Sequence, residues 1–223
     1  LDRILAQIEA TEYLGKFSDA TGTFAAHLAA DATQDWPAIS NEFVTSLGLT
    51  WNPLTTQIES HDWQAELYSR ISHANRVLHN LCTDVWTYIS MGYFRQIPQP
   101  GATGSSTMPH KINPIRFENA EANLEVSNAL FDVLAATLVQ SRLQRDLTDS
   151  SMQRNIGVAF GHSLLAIDNA TRGLDGLDAV PAAMLADLDA NWEVLGEPIQ
   201  SAMRALRAQG VPGMEEPYER LKE

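Results

Sequence analysis

The sequence predicts an all-α fold, a bundle of long helices, on three observations. Apolar residues recur every three or four positions from Trp63 through Leu67, Ile71, Ala74, Leu78, Leu81, Val85 and Tyr88, which is one face of a helix. A second stretch of the same kind holds Leu124, Ala129, Leu130, Val133, Leu134 and Leu138. No stretch alternates polar and apolar residues as a half-buried strand does.

In chain order, residues 1–30 read as a first helix, with Gly15 and Gly22 as weak points. Residues 31–41, with Asp35-Trp36-Pro37, read as a loop. The face that starts at Trp63 continues to Phe94, and no proline interrupts residues 54–97. A helix of roughly 30 residues would be about 45 Å long, beyond the usual globular length and suited to a bundle. Residues 95–107, RQIPQPGATGSST, hold two prolines and two glycines and cannot be helical throughout. Asn113 is placed to cap the next helix and Pro114 to be its first residue, with its end near Gln140. A third helix starts at Thr148 or Asp149 and runs to about Arg172. Beyond Asp178 the pattern gives shorter helices at 181–191 and 198–209 and a last start at Glu216, with Pro212-Gly213 dividing the latter two. The expected organisation is a central long-helix domain over 1–177, with a loop at 95–114, and the start of a smaller helical region over 178–223.

Composition narrows the function. Of the 223 residues, 44 % are hydrophobic, enough for a packed core rather than a disordered chain. No apolar run is long enough to span a membrane, and no basic stretch followed by an apolar one opens the chain, so neither a membrane partner nor a secretory leader is expected. A formal charge of −13 repels phosphate backbones at long range, which argues against nucleic acid. Cys82 is the single cysteine, so no internal disulfide can form, and a reducing, cytoplasmic setting is expected. Lys111, Arg116, Arg142, Arg145 and Arg154 fall within two adjoining segments of this acidic chain. They are either scattered solvated side chains or the local positive cluster a small polyanion needs. No His/Cys/Asp spacing suggests a metal, and no glycine-rich fingerprint suggests a dinucleotide, so no cofactor is expected.

Residues 104–114 read GSSTMPHKINP, a Gly/Ser turn that feeds a helix start. Free N–H groups at a helix start attract anions, Lys111 adds a full positive charge, and the Asn113 amide can donate. Together they can hold a carboxylate and stabilise charge that develops on it. Ser105 and Ser106 offer hydroxyls. A plain linker with capping residues would account for GSS, but much less readily for the whole string.

That string resembles the GSSxMPxKxNP motif of the fumarase/aspartase superfamily at every fixed position. The resemblance implies that Ser105 is a general base, taking the proton on the carbon beside a carboxylate so that fumarate is eliminated through an aci-carboxylate. It places Lys111 and Asn113 on that carboxylate, and Ser106 and Met108 with the substrate. A serine hydroxyl is a weak base at neutral pH, so positive charge and N–H dipoles must favour its alkoxide. Glu118, seven residues after Lys111, matches a glutamate that pairs with the general-acid histidine; otherwise it reads as a solvated carboxylate.

Two further segments resemble bacterial adenylosuccinate lyases. Within residues 45–62, TSLGLTWNPLTTQIESHD, the resemblance puts Gln57 on substrate. Within residues 141–155, SRLQRDLTDSSMQRN, it puts Arg145, Ser150 and Arg154 on the nucleotide, the latter two toward the 5′-phosphate. Physical spacing agrees: Ser150 and Arg154 are four apart near a helix start, and Arg145 can fork onto an oxyanion. Asp146 and Asp149 would oppose a phosphate, unless they cap the helix or pair with the arginines. Residues 189–203, DANWEVLGEPIQSAM, also resemble the family, without a chemical role.

The function implied is a lyase that releases fumarate from adenylosuccinate, giving AMP, and from the related succinyl imidazole-carboxamide nucleotide. The partners implied are that nucleotide and further copies of the chain, since the superfamily forms homotetramers whose sites draw on three subunits. The family's general-acid histidine belongs to a segment upstream of the first long helix. None of His27, His61, His73, His79, His110 and His162 sits in that motif. Residues 1–223 alone are therefore expected to lack turnover. His61 and His110 lie close enough to the site segments to touch ligand. A carboxymuconate cycloisomerase is the alternative within the superfamily, and a non-enzymatic helical assembly module the alternative outside it.

Overall fold

The computed structural model describes residues 1–97 and 112–222. Its backbone is three long helices. α4 (Asp62–Ser90), α5 (Ile115–Leu138) and α7 (Ile156–Asp175) pack side by side, with α5 between the other two. Short helices precede them: α1 (Asp2–Glu9), α2 (Ala25–Ala30) and α3 (Trp36–Ser46). α6 (Thr148–Met152) and a 3₁₀ turn (Gln153–Asn155) lead into α7, and α8 (Pro181–Ala190), α9 (Gly196–Ala208) and α10 (Pro217–Arg220) follow it. The predicted all-α bundle is what folds, and most predicted helix ends lie within a few residues of the observed ones.

Several expectations need correction. The helix expected over 1–30 stops at Glu9; further on the chain turns where Asp19 and Gly22 take left-handed φ values of 66° and 76°, and only Ala25–Ala30 returns to helix. The Asp19 carboxylate holds the resulting turn by accepting from Thr21 N at 2.7 Å and Ala26 N at 3.1 Å. Residues 36–41, expected in a loop, begin α3: Asp35 caps it, accepting from Ala38 N at 3.1 Å, and Pro37 fits its first turn. Asn113 is not the cap of α5. Pro114 holds that place, and its carbonyl accepts from Phe117 N and Glu118 N. Strands are present but minimal. β1 (Leu14–Gly15) pairs in parallel with β2 (Thr50–Trp51), and β3 (Phe94–Gln96) pairs antiparallel with β4 (Leu177–Ala179). Phe94 thus belongs to a strand, not to the end of the long helix. The second ladder joins residues on both sides of the expected 177/178 boundary.

The buried stripe of α4 lies to one side of the apolar one read from sequence. Leu67, Tyr68, Ser72, Asn75, Cys82 and Val85 are buried, whereas Leu81 and Tyr88 are exposed. On α5 the buried set is Phe117, Ala120, Leu124, Ser127, Phe131, Leu134 and Leu138, and Val133 is exposed. The core forms two apolar clusters, one around Phe117 and Leu124 and one around Phe131 and Leu134. A buried polar layer joins the three helices. Asn75 donates to Ser127 Oγ (3.2 Å), Ser163 Oγ donates to Asn75 Oδ1 (2.8 Å), and Ser127 Oγ donates to the Ala159 carbonyl (2.9 Å). Every side chain in that layer has a partner, as burial demands.

Candidate active site

The predicted site residues that the structure describes fall at two places. Ser105, Ser106, Met108 and Lys111 lie outside the described residues, as does His110. What is described is their exit. Asn113 is exposed, and the amino end of α5 follows directly after Pro114. Glu118, in the first turn of α5, accepts from Trp86 Nε1 of α4 at 3.1 Å, so its carboxylate is exposed but anchored. Arg116, beside it, donates to Asn169 Oδ1 at 3.0 Å.

The second place is at the far end of α5. Here the loop before α4 meets the segment before α7. Gln57 N approaches the Gln144 carbonyl (3.5 Å), and the Gln57 side chain is exposed. A turn from the start of the chain supports that loop: Lys16 Nζ donates to the Thr56 carbonyl at 3.2 Å, and Ser18 bonds Thr55. Gly22 is required there, since a Cβ on it would lie 1.9 Å from the Thr55 carbonyl oxygen. Glu59 ties the loop together, accepting from Asn52 Nδ2 (3.0 Å), His61 N (3.0 Å) and Trp63 Nε1 (2.8 Å).

Across from the loop, both aspartates pair with arginines. Arg142 donates to Asp146 at 3.0 Å, and Arg145 Nη2 lies 3.4 Å from Asp149 Oδ2. Asp146 also accepts from Thr148 N at 2.9 Å; that backbone N–H first, then the Thr148 hydroxyl and the Arg142 charge, hold its carboxyl below the usual carboxylate range. Ser150 is half-buried on α6 and Arg154 is exposed on the 3₁₀ turn. The helix expected from Thr148 is therefore interrupted, and Ser150 and Arg154 do not share an unbroken helical face. The Gln57 loop meets the residue next to Arg145 at this end, while Arg154 stands exposed on the 3₁₀ turn that follows α6.

The four of these cations that lie among the described residues, Arg116, Arg142, Arg145 and Arg154, are not one cluster in space. Arg116 is at one end of α5 and Arg142, Arg145 and Arg154 lie beyond the other, about 36 Å away for 24 helical residues. Glu59, Asp149 and Gln153 are parts of the second site that sequence reasoning did not single out as site residues. Asp149 had a signal, its four-residue spacing from Arg145; Glu59 had none. Among the described residues no group of His, Cys, Asp and Glu could hold a metal ion, and no helix is long and apolar enough to cross a membrane.

Comparison with known proteins gives this geometry a lineage. The family model described as "Lyase" matches residues 2–126, and the one described as "Adenylosuccinate lyase C-terminal" matches residues 141–223. The adenylosuccinate lyases of Vibrio cholerae and Escherichia coli are 49 % and 48 % identical to the whole chain, and that of Legionella pneumophila is 49 % identical over 93 % of it. The chain spans about half the length of these relatives, 48 %, 48 % and 44 % of each. A fumarate lyase from Mesorhizobium superposes with a TM-score of 0.71 at 17 % identity, over 99 % of this chain and 48 % of its own. A 3-carboxy-cis,cis-muconate lactonizing enzyme from Pseudomonas putida gives 0.70 at 21 %, over 99 % and 47 %. At such identities these two structures speak for the fold alone. With a family match over more than half its length, the chain belongs to the lyase family of the fumarase/aspartase superfamily and carries the C-terminal domain type of adenylosuccinate lyases.

Proposed function

We propose that the protein is a lyase that eliminates fumarate from adenylosuccinate, leaving AMP, and from the succinyl imidazole-carboxamide nucleotide of purine synthesis. The observation that carries this reading is similarity along the whole chain to adenylosuccinate lyases, with both site segments inside it. Ser105 takes the proton from the carbon beside a succinyl carboxylate. The electron pair left behind forms the double bond of fumarate as the C–N bond breaks, and the departing nitrogen takes up a proton. Lys111 and Asn113 hold the carboxylate on which negative charge grows, and the amino end of α5 adds its dipole there. Ser106 and Met108 line the same loop against substrate. Arg145, Ser150 and Arg154 hold the nucleotide, with Gln57 across from them. Glu118 orients the group that protonates the leaving nitrogen.

The separation along α5 gives this reading a second part. A succinyl nucleotide is far shorter than about 36 Å, so Asn113 and Arg145 of one chain, beyond opposite ends of α5, do not reach one substrate together. The complete site is formed between copies, in a homo-oligomer whose tetrameric form the resemblance implies. Exposed apolar residues on the long helices, Val126 and Val133 on α5 and Leu164, Leu165 and Ile167 on α7, are suited to that contact.

The test is turnover of adenylosuccinate by the intact protein, followed in the ultraviolet as AMP and fumarate appear. Ser105→Ala should lower kcat by about 10²–10⁴-fold, the usual worth of a positioned acid or base, while substrate still binds. Turnover near the wild-type rate would remove Ser105 from the mechanism.

A further inference from the structure

His61 belongs to the second site but has no part in the elimination as described, and its surroundings give it a different task. It is only 8 % exposed and sits at the cap of α4 with a left-handed φ of 56°, a conformation rare for a residue with a Cβ. Its ring is held on both sides. Nδ1 lies 2.7 Å from the Glu59 carbonyl, which can only accept, so Nδ1 carries a proton. In the neutral ring Nε2 then accepts, and the Gln153 amide is 2.6 Å away to donate. Asp149 Oδ2 stands 3.6 Å from the same Nε2 and 3.4 Å from Arg145 Nη2. A ring so enclosed is poorly placed to pass a proton to substrate.

We propose that His61 is a positioning residue for Arg145, acting through Asp149 and Gln153. Asp149 is the only carboxylate among the described residues paired with Arg145, and its side chain is 11 % exposed. At 3.4 Å the Arg145–Asp149 contact is long for a charge-assisted hydrogen bond, so it does not by itself lock the guanidinium. Asp149 Oδ1 and Arg145 Nε are buried without partners among the described residues, so few other contacts fix the pair. The imidazole supplies the wall. It packs against Asp149 on one side and is tied on the other to Glu59, the acceptor that organises the Gln57 loop. His61 therefore sets the loop carrying Gln57 and the segment carrying Arg145 at a fixed spacing. The consequence for catalysis rests on the reading of Arg145 as a nucleotide-binding residue; the positioning itself does not.

The experiment compares the intact protein with His61→Ala, His61→Gln and His61→Asn. A Gln amide can reach the place of Nε2, whereas an Asn amide overlies only Nδ1. The first readout needs no catalysis: the rate at which phenylglyoxal modifies Arg145, measured by peptide mass spectrometry, with the exposed Arg142 as internal control. Arg145 should react several-fold faster in His61→Ala and His61→Asn and at the wild-type rate in His61→Gln, with Arg142 unchanged throughout. The second readout is kinetic. KM for adenylosuccinate should rise about tenfold in His61→Asn while kcat stays within about threefold, the split expected when binding rather than chemistry is lost. Equal Arg145 reactivity in His61→Asn and His61→Gln overturns the proposal, even where His61→Ala fails to fold. The expected reactivity pattern in a protein that does not turn over adenylosuccinate would uphold the positioning role and reject only the proposed substrate.

Discussion

Gly173 on α7 lacks a side chain because Phe117 fills the space. A Cβ there would lie 2.7 Å from Phe117 Cζ and 3.1 Å from Arg116 Cβ. Phe117 is 1 % exposed, so its ring has little room to retreat. Alanine would gain up to about 1 kcal/mol of helix propensity over glycine. Overpacking at such a contact costs about 1–3 kcal/mol and should win. Gly173→Ala is thus expected to lower the urea midpoint, and adding Phe117→Leu should recover part of the loss. An unchanged midpoint in the single variant would show that α5 and α7 separate more easily than their packing indicates. Nothing local in the sequence gives the reason for this glycine, which is a ring on another helix.

At the scale of elements, the 141–155 segment is held by small local devices rather than by core. Asp146 stabilises the start of α6 in its charged form, accepting from Thr148 N. Its carboxyl is held below the ordinary value, first by that backbone N–H. A depressed folded-state pKa means that the support is present above the unfolded-state value of about 3.9 and is lost as pH falls through the lower, folded value. Hydrogen exchange at Thr148 N should therefore lose protection only on acidification below the usual carboxylate range. Asp146→Asn should abolish that pH dependence while leaving α4 and α5 protected. Loss of protection already near neutral pH would assign the hold on Thr148 N to another group.

For the whole molecule, the exposed apolar residues of the long helices decide what assembles. Leu164 is 65 % exposed and Val133 is 44 % exposed in the single chain, positions where an aspartate costs little if they face water. In an oligomer that buries them, a charge there would be left unpaired. Leu164→Asp and Val133→Asp should each lower the mass measured by sedimentation velocity, leave the far-ultraviolet helical signal intact, and reduce turnover together with the mass. An unchanged mass in both variants would place the contact between copies on another face. A monomeric wild-type protein would contradict the proposed shared site.

The sequence by itself determined the all-α bundle, the approximate ends of its long helices and the family, because three- and four-residue apolar spacing, proline placement and a string such as GSSTMPHKINP are local signals. It also located Arg145, Ser150 and Arg154 in one segment. Tertiary structure alone decided which stripe of each helix is buried. Asn75, Ser127 and Ser163 are polar, yet they satisfy one another in the core, while Leu81 and Val133, placed on the apolar faces read from sequence, stay exposed. It also decided that cations adjoining in sequence stand at opposite ends of α5, and that His61 meets Asp149 and Gln153 across more than eighty residues of chain. Those outcomes depend on which helix faces which, a long-range choice that no local spacing encodes.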